Sequence, residues 1–190
     1  MRDRIAIIGG GASGSLLCLR LLKTSDPPLI HFVERNKAQL GRGVAYSSAG
    51  DQLLNVPASR MDLFEEERGE FLAYIRSKHP ESSTDAFVPR RHFGDLLAAR
   101  LDKAIGERPG SVILHHSNCS KIRKVDEGYQ FSLDDGTNCS VRTVVLALGN
   151  APPASLPGLL PDLFDHPAYT AVPWNADPVS KIGSDRIRRC

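Results

Sequence analysis

The chain has 190 residues, enough for one domain with or without an appendage. Hydrophobic residues make up 41% and charged residues 24%, an ordinary globular composition. The 24 basic and 22 acidic side chains leave a formal net charge of +2, which gives no electrostatic reason to expect nucleic acid or an anionic membrane as a partner.

The first element is a strand. Ile5-Ala6-Ile7-Ile8 is a short apolar run rich in β-branching, and it leads straight into Gly9-Gly10-Gly11-Ala12-Ser13-Gly14. Gly9, Gly11 and Gly14 form a G-x-G-x-x-G fingerprint. In that pattern the first glycine permits the tight turn, the second lets backbone approach a pyrophosphate, and the third lets helix and strand pack closely. A helix is expected next, to about Lys23, with Leu16, Leu17, Leu21 and Leu22 on overlapping helical spacings. Its free N-terminal amides make an anion site. Ser25-Asp26-Pro27-Pro28 ends it, and Leu29-Ile30-His31-Phe32-Val33 forms a second strand closed by Glu34. Glu34 stands where an acid accepts hydrogen bonds from a ribose hydroxyl. Strand, glycine turn, helix, strand and acid in this order predict a dinucleotide site; the alternative is a plain glycine-rich turn.

A simple NAD-binding unit would reach its third strand within roughly 30 residues. No such strand run occurs between Glu34 and Ser111. A loop-rich stretch over 36–67 is followed by helical patterns over 69–78 and 93–105, the second ending at Gly106. The period then becomes that of strands: 111–114, 121–125, 129–133 and 137–141, with turns at Asp126-Glu127-Gly128 and Asp134-Asp135-Gly136. Val144-Val145-Leu146-Ala147-Leu148 reads as a second fully buried strand, closed by Gly149-Asn150. The remainder, 151–190, holds seven of the thirteen prolines and reads as an extended connector.

Other residues invite a chemical reading. Gly41-Arg42-Gly43 offers close backbone approach and one cationic fork for a phosphate or a flavin ring, or else is a flexible loop. Asn55, between Leu54 and Val56, suits the polar edge of a ring system, or serves its own turn. Arg90 and Arg91 open a helix, where a cation is mildly unfavourable. They are expected to face an anion: a cofactor phosphate, an acidic substrate or the run Glu65 to Glu67. His115-His116 are adjacent on a strand and so face opposite sides, which argues against a metal. Cys18, Cys119, Cys139 and Cys190 show no C-x-x-C spacing, so neither zinc nor a disulfide framework is expected. Trp174 reads as packing, and Arg186-Ile187-Arg188-Arg189 as a solvated end. No apolar run approaches the roughly 20 residues that span a bilayer, and 5–8 is too short for a signal-peptide core, so a cytoplasmic location is expected.

The order strand, glycine turn, helix, strand with Glu, helical insertion, β-meander and strand ending in Gly resembles the FAD-binding half of two-dinucleotide flavoproteins. Residues 144–150 are similar to their second signature, with Leu148 where threonine is usual. More closely, 5–14, 40–47 (Leu-Gly-Arg-Gly-Val-Ala-Tyr-Ser), 53–61 (Leu-Leu-Asn-Val-Pro-Ala-Ser-Arg-Met), 87–91 and 144–150 resemble the FAD–NAD(P)-binding family of FAD-dependent urate hydroxylases and L-aspartate N-hydroxylases. The resemblance implies an α/β fold: a Rossmann-like FAD-binding domain over 1–150 with a parallel sheet, a helical insertion at about 36–110 and a β-meander crossover at about 120–142, in three ββα layers. It implies FAD contacts from Gly9, Gly11, Ala12, Ser13, Gly14, Glu34, Arg35, Arg42, Gly43, Val44, Tyr46, Asn55, Val56, Met61, Cys119 and Gly149, with backbone near Cys119 meeting the adenine.

In that family NAD(P)H reduces the flavin, and the reduced flavin with O₂ hydroxylates a small substrate. The cofactor carries the chemistry, so no side chain is assigned as a catalytic acid or base. The resemblance further implies an NAD(P)H fingerprint after the connector. Ser184-Asp185-Arg186-Ile187 looks like its approach, so the chain is expected to be a fragment or a naturally short protein, alone unable to oxidise NADPH. A small-molecule substrate is expected, and self-association stays open. The alternatives are a non-catalytic dinucleotide-binding or regulatory module and an NAD-linked dehydrogenase, the latter disfavoured by the insertion and the meander.

Overall fold

The apolar run before the glycines forms β1 (Arg4–Ile8), and the helix after them is α1 (Ala12–Leu22). The structure is a computed structural model and describes residues 3–47 and 51–151, together with 154, 158, 166 and 169. The chain divides into a unit over Met1–Gly149 and a unit over Asn150–Cys190. Most of the second unit, with the expected proline-rich connector, Trp174, the basic cluster and Cys190, lies outside the described residues.

β2 (Leu29–Val33) pairs with β1 in parallel, placing Ala6 beside His31 and Ile8 beside Val33. The insertion contributes short 3-10 turns at Lys37–Gln39, Ala58–Arg60 and Glu65–Glu67, then α2 (Glu70–Lys78) and α3 (Arg91–Glu107). β3 (Val112–His115) returns alongside β2. The meander of β4 (Cys119–Val125), β5 (Gly128–Leu133) and β6 (Asn138–Val141) is antiparallel throughout. β7 (Thr143–Leu146) then pairs with β1, giving a parallel sheet in the order β3-β2-β1-β7.

Alternation of side chains along each strand fills two cores. Ile7, Ile30 and Phe32 point to the helical side and are buried with Cys18, Leu19, Leu22, Phe71, Phe93, Leu97 and Leu101. Ala6, Ile8 and Val33 point the other way, against Phe131, Leu133 and Val141 of the meander. The layers are therefore meander, parallel sheet and helices. Full burial pushes the Cys18 thiol up to about 12, which makes it a packing residue.

Two expectations are corrected. Val144 to Leu148 is not a buried strand: among the described strands β7 pairs with β1 alone, and Leu146 and Leu148 are 59% and 67% exposed. Apolar runs signal burial only when neighbours cover both faces and edges. The last helix also begins two residues earlier than its apolar period suggested and runs through Gly106 to Glu107. No helix among the described residues is long and apolar enough to cross a membrane.

His92, in the first turn of α3, stacks edge-on against His79 at 5.9 Å between ring centroids. Burial lowers its pKa below 6.5, helped by Arg91, Lys78 and His79 and opposed by Asp95. The folded protein therefore takes up this proton later than the unfolded chain, so stability is intact above about pH 6.5 and falls as pH drops through the folded value. Urea midpoints of His92→Gln and the parent, taken between pH 8 and pH 5, should show a shallower acid loss in the variant. Parallel profiles would remove His92 from the acid response.

Candidate cofactor-binding site

The chain leaves β1 through Gly9, whose φ of +107° is open to glycine and strained for other residues. A Cβ on Gly9 would lie 2.2 Å from the carbonyl oxygen of Ala147, and one on Gly14 would lie 2.0 Å from that of Gly9. Both glycines are demanded by the protein's own packing. Gly11 differs. Its φ of −65° and ψ of −171° suit any residue, and an added Cβ would meet nothing closer than Gly43 Cα at 3.4 Å.

At Gly11 α1 begins, with no side-chain cap and no acidic residue in its first turn. The amides of Ala12, Ser13 and Gly14 have no acceptor within the helix, and the helix dipole adds partial positive charge there. A bare backbone cradle before uncapped amides fits the diphosphate of a dinucleotide.

Gly10 ties three segments together. Its N–H donates to Glu34 Oε2 at 2.8 Å, while its carbonyl accepts from Gly41 N at 2.9 Å and from Ser15 Oγ at 3.0 Å. Ser15 Oγ, fully buried, also accepts from Gly41 N at 3.1 Å. Glu34 Oε1 accepts from Asn36 N at 3.0 Å, so this carboxylate braces the glycine turn from the end of β2. Its oxygens keep lone pairs for a hydroxyl.

The loop of residues 41–46 is held on the other side by α3. Gly41, at φ +78°, lies so close to Ala98 that a Cβ would come within 2.7 Å of its nitrogen. Gly94 plays the matching part on the helix, where a Cβ would meet Tyr46 O at 2.4 Å. Arg42 is ion-paired with Asp95, and Tyr46 packs on Phe93 at 4.7 Å between centroids. The Arg42 fork is thus already engaged by a carboxylate.

The structure brings Gly9 to Gly14, Glu34 and Gly41 to Gly43 into one cluster. The Ala147 N–H donates to Ile8 O at 2.8 Å and its carbonyl abuts Gly9, which sets the residue after β7 next to the same turn; Gly149 follows two residues on, with open space where a Cβ would go. Arg35 and Val44 are exposed. Asn55 is exposed too, in a bend beside the pairing of Leu53 with Pro89, while Met61 packs on the helical core. Cys119 opens β4, its thiol raised by burial. Among the described contacts none links Asn55, Val56, Met61 or Cys119 to the glycine turn. Arg91 pairs with Asp51 and Arg90 Nε donates to Leu53 O at 3.1 Å. Glu65 to Glu67 pair instead with Arg68, Arg20, Lys23 and Arg100, which corrects one of the partners expected for the two arginines. Ser15 and Asp95 were not anticipated; nothing in Ala12-Ser13-Gly14-Ser15 marks which serine turns inward.

A family model described as FAD-NAD(P)-binding matches residues 6–151. No curated protein matches this sequence. Similar solved structures include a double mutant of a flavin monooxygenase from Stenotrophomonas maltophilia, with TM-score 0.54 and 16% identity over 76% of this chain and 38% of that one. A cyclohexanone monooxygenase mutant from Rhodococcus sp. Phi1 bound to NADP+ gives 0.56 and 14% over 83% and 28%. The Diels-Alderase PyrE3 of pyrroindomycin biosynthesis gives 0.52 and 18% over 77% and 32%. At these identities the likeness is one of fold, and the chain spans between about a quarter and two fifths of each structure's length.

Proposed function

The chain belongs to the FAD-NAD(P)-binding family, and from that premise we propose that it is the FAD-binding portion of a flavin-dependent monooxygenase that uses NAD(P)H and hydroxylates a small molecule. The observation that carries this is Gly11, a glycine required neither by its backbone angles nor by its protein neighbours, at the mouth of an uncapped helix. The motif resemblance of 40–47 and 53–61 supports a substrate of the kind hydroxylated by urate or aspartate hydroxylases, small and polar.

In this reading the amides of Ala12, Ser13 and Gly14 hold the pyrophosphate, and Glu34 orients the adenosine ribose while fixing Gly10. Gly43 lies against Gly11 and closes the cradle from the insertion side. Asp95 holds Arg42 in place and cancels much of its charge, which makes Arg42 a loop anchor first. Arg35, Val44, Tyr46, Asn55, Val56, Met61, Cys119 and Gly149 remain proposed contacts of the rest of the cofactor. A bound FAD would supply the redox chemistry between NAD(P)H and O₂. The protein's task is to bind, orient and exclude water.

The test is to saturate the purified 190-residue chain with FAD, remove the excess, and chromatograph what heat releases. Stoichiometric FAD is expected; recovery of NADP in its place would overturn the assignment. Glu34→Gln should stay folded and bind FAD about 10- to 100-fold more weakly, since a charge-assisted hydrogen bond contributes about 1.5–3 kcal/mol. Unchanged affinity would place the ribose elsewhere.

A further inference from the structure

The second core contains polar chemistry that the cofactor site does not use. On the meander face of the parallel sheet, His31 and Val33 of β2 alternate with residues buried among the helices. Val33 is in register with His115 of β3, so His31 and His115 share that face. Their rings stack at 5.3 Å between centroids, with His31 Nδ1 3.0 Å from His115 Nε2. Phe131 of β5 presents edge-on to both rings, at 5.7 and 6.1 Å. Cys139 of β6 is the register partner of Phe131 and joins them from the meander.

Two features set this group apart from a pair of packed histidines. His31 is only 6% exposed, yet its Nε2 is buried with no hydrogen-bond partner. One ligand atom from each of His31, His115 and Cys139 can be chosen so that all three lie within 4.8 Å of one another. The thiol of Cys139 is free.

We propose that His31, His115 and Cys139 form a binding site for one borderline-soft transition-metal ion of the Zn²⁺ class. Two imidazoles and a thiolate, with no carboxylate among them, suit such an ion and disfavour Mg²⁺ or Ca²⁺. Zn–N and Zn–S bonds of about 2.1 and 2.3 Å set tetrahedral ligand atoms roughly 3.5 Å apart, so rotation of the side chains by about an ångström closes the set. As the sulfur–metal bond forms, the Cys139 proton passes to solvent. Three protein ligands leave a fourth position for water. The ion would fasten the meander to β2 and β3 of the parallel sheet, 84 residues separating the two histidines.

The test titrates the full metal-free chain with Co²⁺ and follows the near-ultraviolet thiolate-to-cobalt band, with Zn²⁺ as competitor. One Co²⁺ per chain is expected, displaced by Zn²⁺. Cys139→Ser should abolish the band, and His115→Gln should weaken binding by more than the roughly 10- to 100-fold that loss of an outer-shell partner costs. Cys119→Ser and Cys190→Ser should keep the band. A parent chain without the band, or a band that survives in Cys139→Ser, overturns the proposal. A readout free of variants is peptide-level alkylation of the parent chain: Zn²⁺ should shield Cys139, and equal alkylation with and without Zn²⁺ also overturns it. FAD binding is not needed for either measurement, so failure of this site and failure of the cofactor site are separable.

Discussion

Gly14→Ala is expected to destabilise the chain by about 3 kcal/mol or more, lowering its melting temperature by on the order of 10 °C. One methyl is enough. Its carbon would lie 2.0 Å from the Gly9 carbonyl oxygen and 3.3 Å from Ile7 Cγ2, and the first of these neighbours is backbone. Relief requires α1 to lift from β1, which opens the helical core at Ile7, Cys18 and Leu19. The same exchange at Gly106 should have the opposite sign, because that glycine sits inside α3 with open space where a Cβ would go. There alanine gains roughly 0.5–1 kcal/mol of helix propensity. Thermal unfolding of the two variants beside the parent is the measurement. A Gly14→Ala protein as stable as the parent would mean that α1 is not seated on β1 as described.

Gly11→Val should show the reverse separation: a folded protein that no longer holds FAD. The backbone at Gly11 is ordinary and an added Cβ would make only van der Waals contact with Gly43, so apo stability should change by about 1 kcal/mol. The isopropyl group would stand in front of the amides of Ala12 to Gly14, where the diphosphate has to approach. A loss of at least about 100-fold in FAD affinity is expected, equal to about 2.7 kcal/mol. Gly11→Ala should fall between the two. Flavin fluorescence titration measures the affinity, and far-ultraviolet circular dichroism with apo melting checks the fold. Parent-like affinity in Gly11→Val would show that the dinucleotide binds elsewhere.

Sequence periodicity located the elements well where it reports local geometry. The turn from β1 into α1, the two insertion helices and the meander turns all follow from short-range chemistry: glycines, helical period and alternation. That Glu34 closes β2 beside the glycine turn follows from the length of one βα unit. Side-chain pairings across the tertiary structure were not legible in this way. Arg42 and Asp95 are 53 residues apart, and no local pattern announces that they meet. Arg91 faced an equally open choice of acids, and took Asp51 rather than the denser run at Glu65 to Glu67. The two adjacent histidines drew attention to 115–116, whereas the ring that matters to His115 is His31, on a neighbouring strand that the insertion separates from it in sequence. The exposure of Leu146 was hidden for a related reason: hydropathy counts side chains, not how many strands lie beside them.

Gly10 is a single peptide unit to which the glycine turn, the acid after β2 and the insertion are all fastened. Strain applied there cannot stay local. The turn into α1 is tied, through one carbonyl and one amide, to a loop that is itself locked to α3 by Gly41 and Gly94. The glycine turn, the acid and the insertion therefore share a single anchor, and α3 is tied to it at second hand through the 41–46 loop.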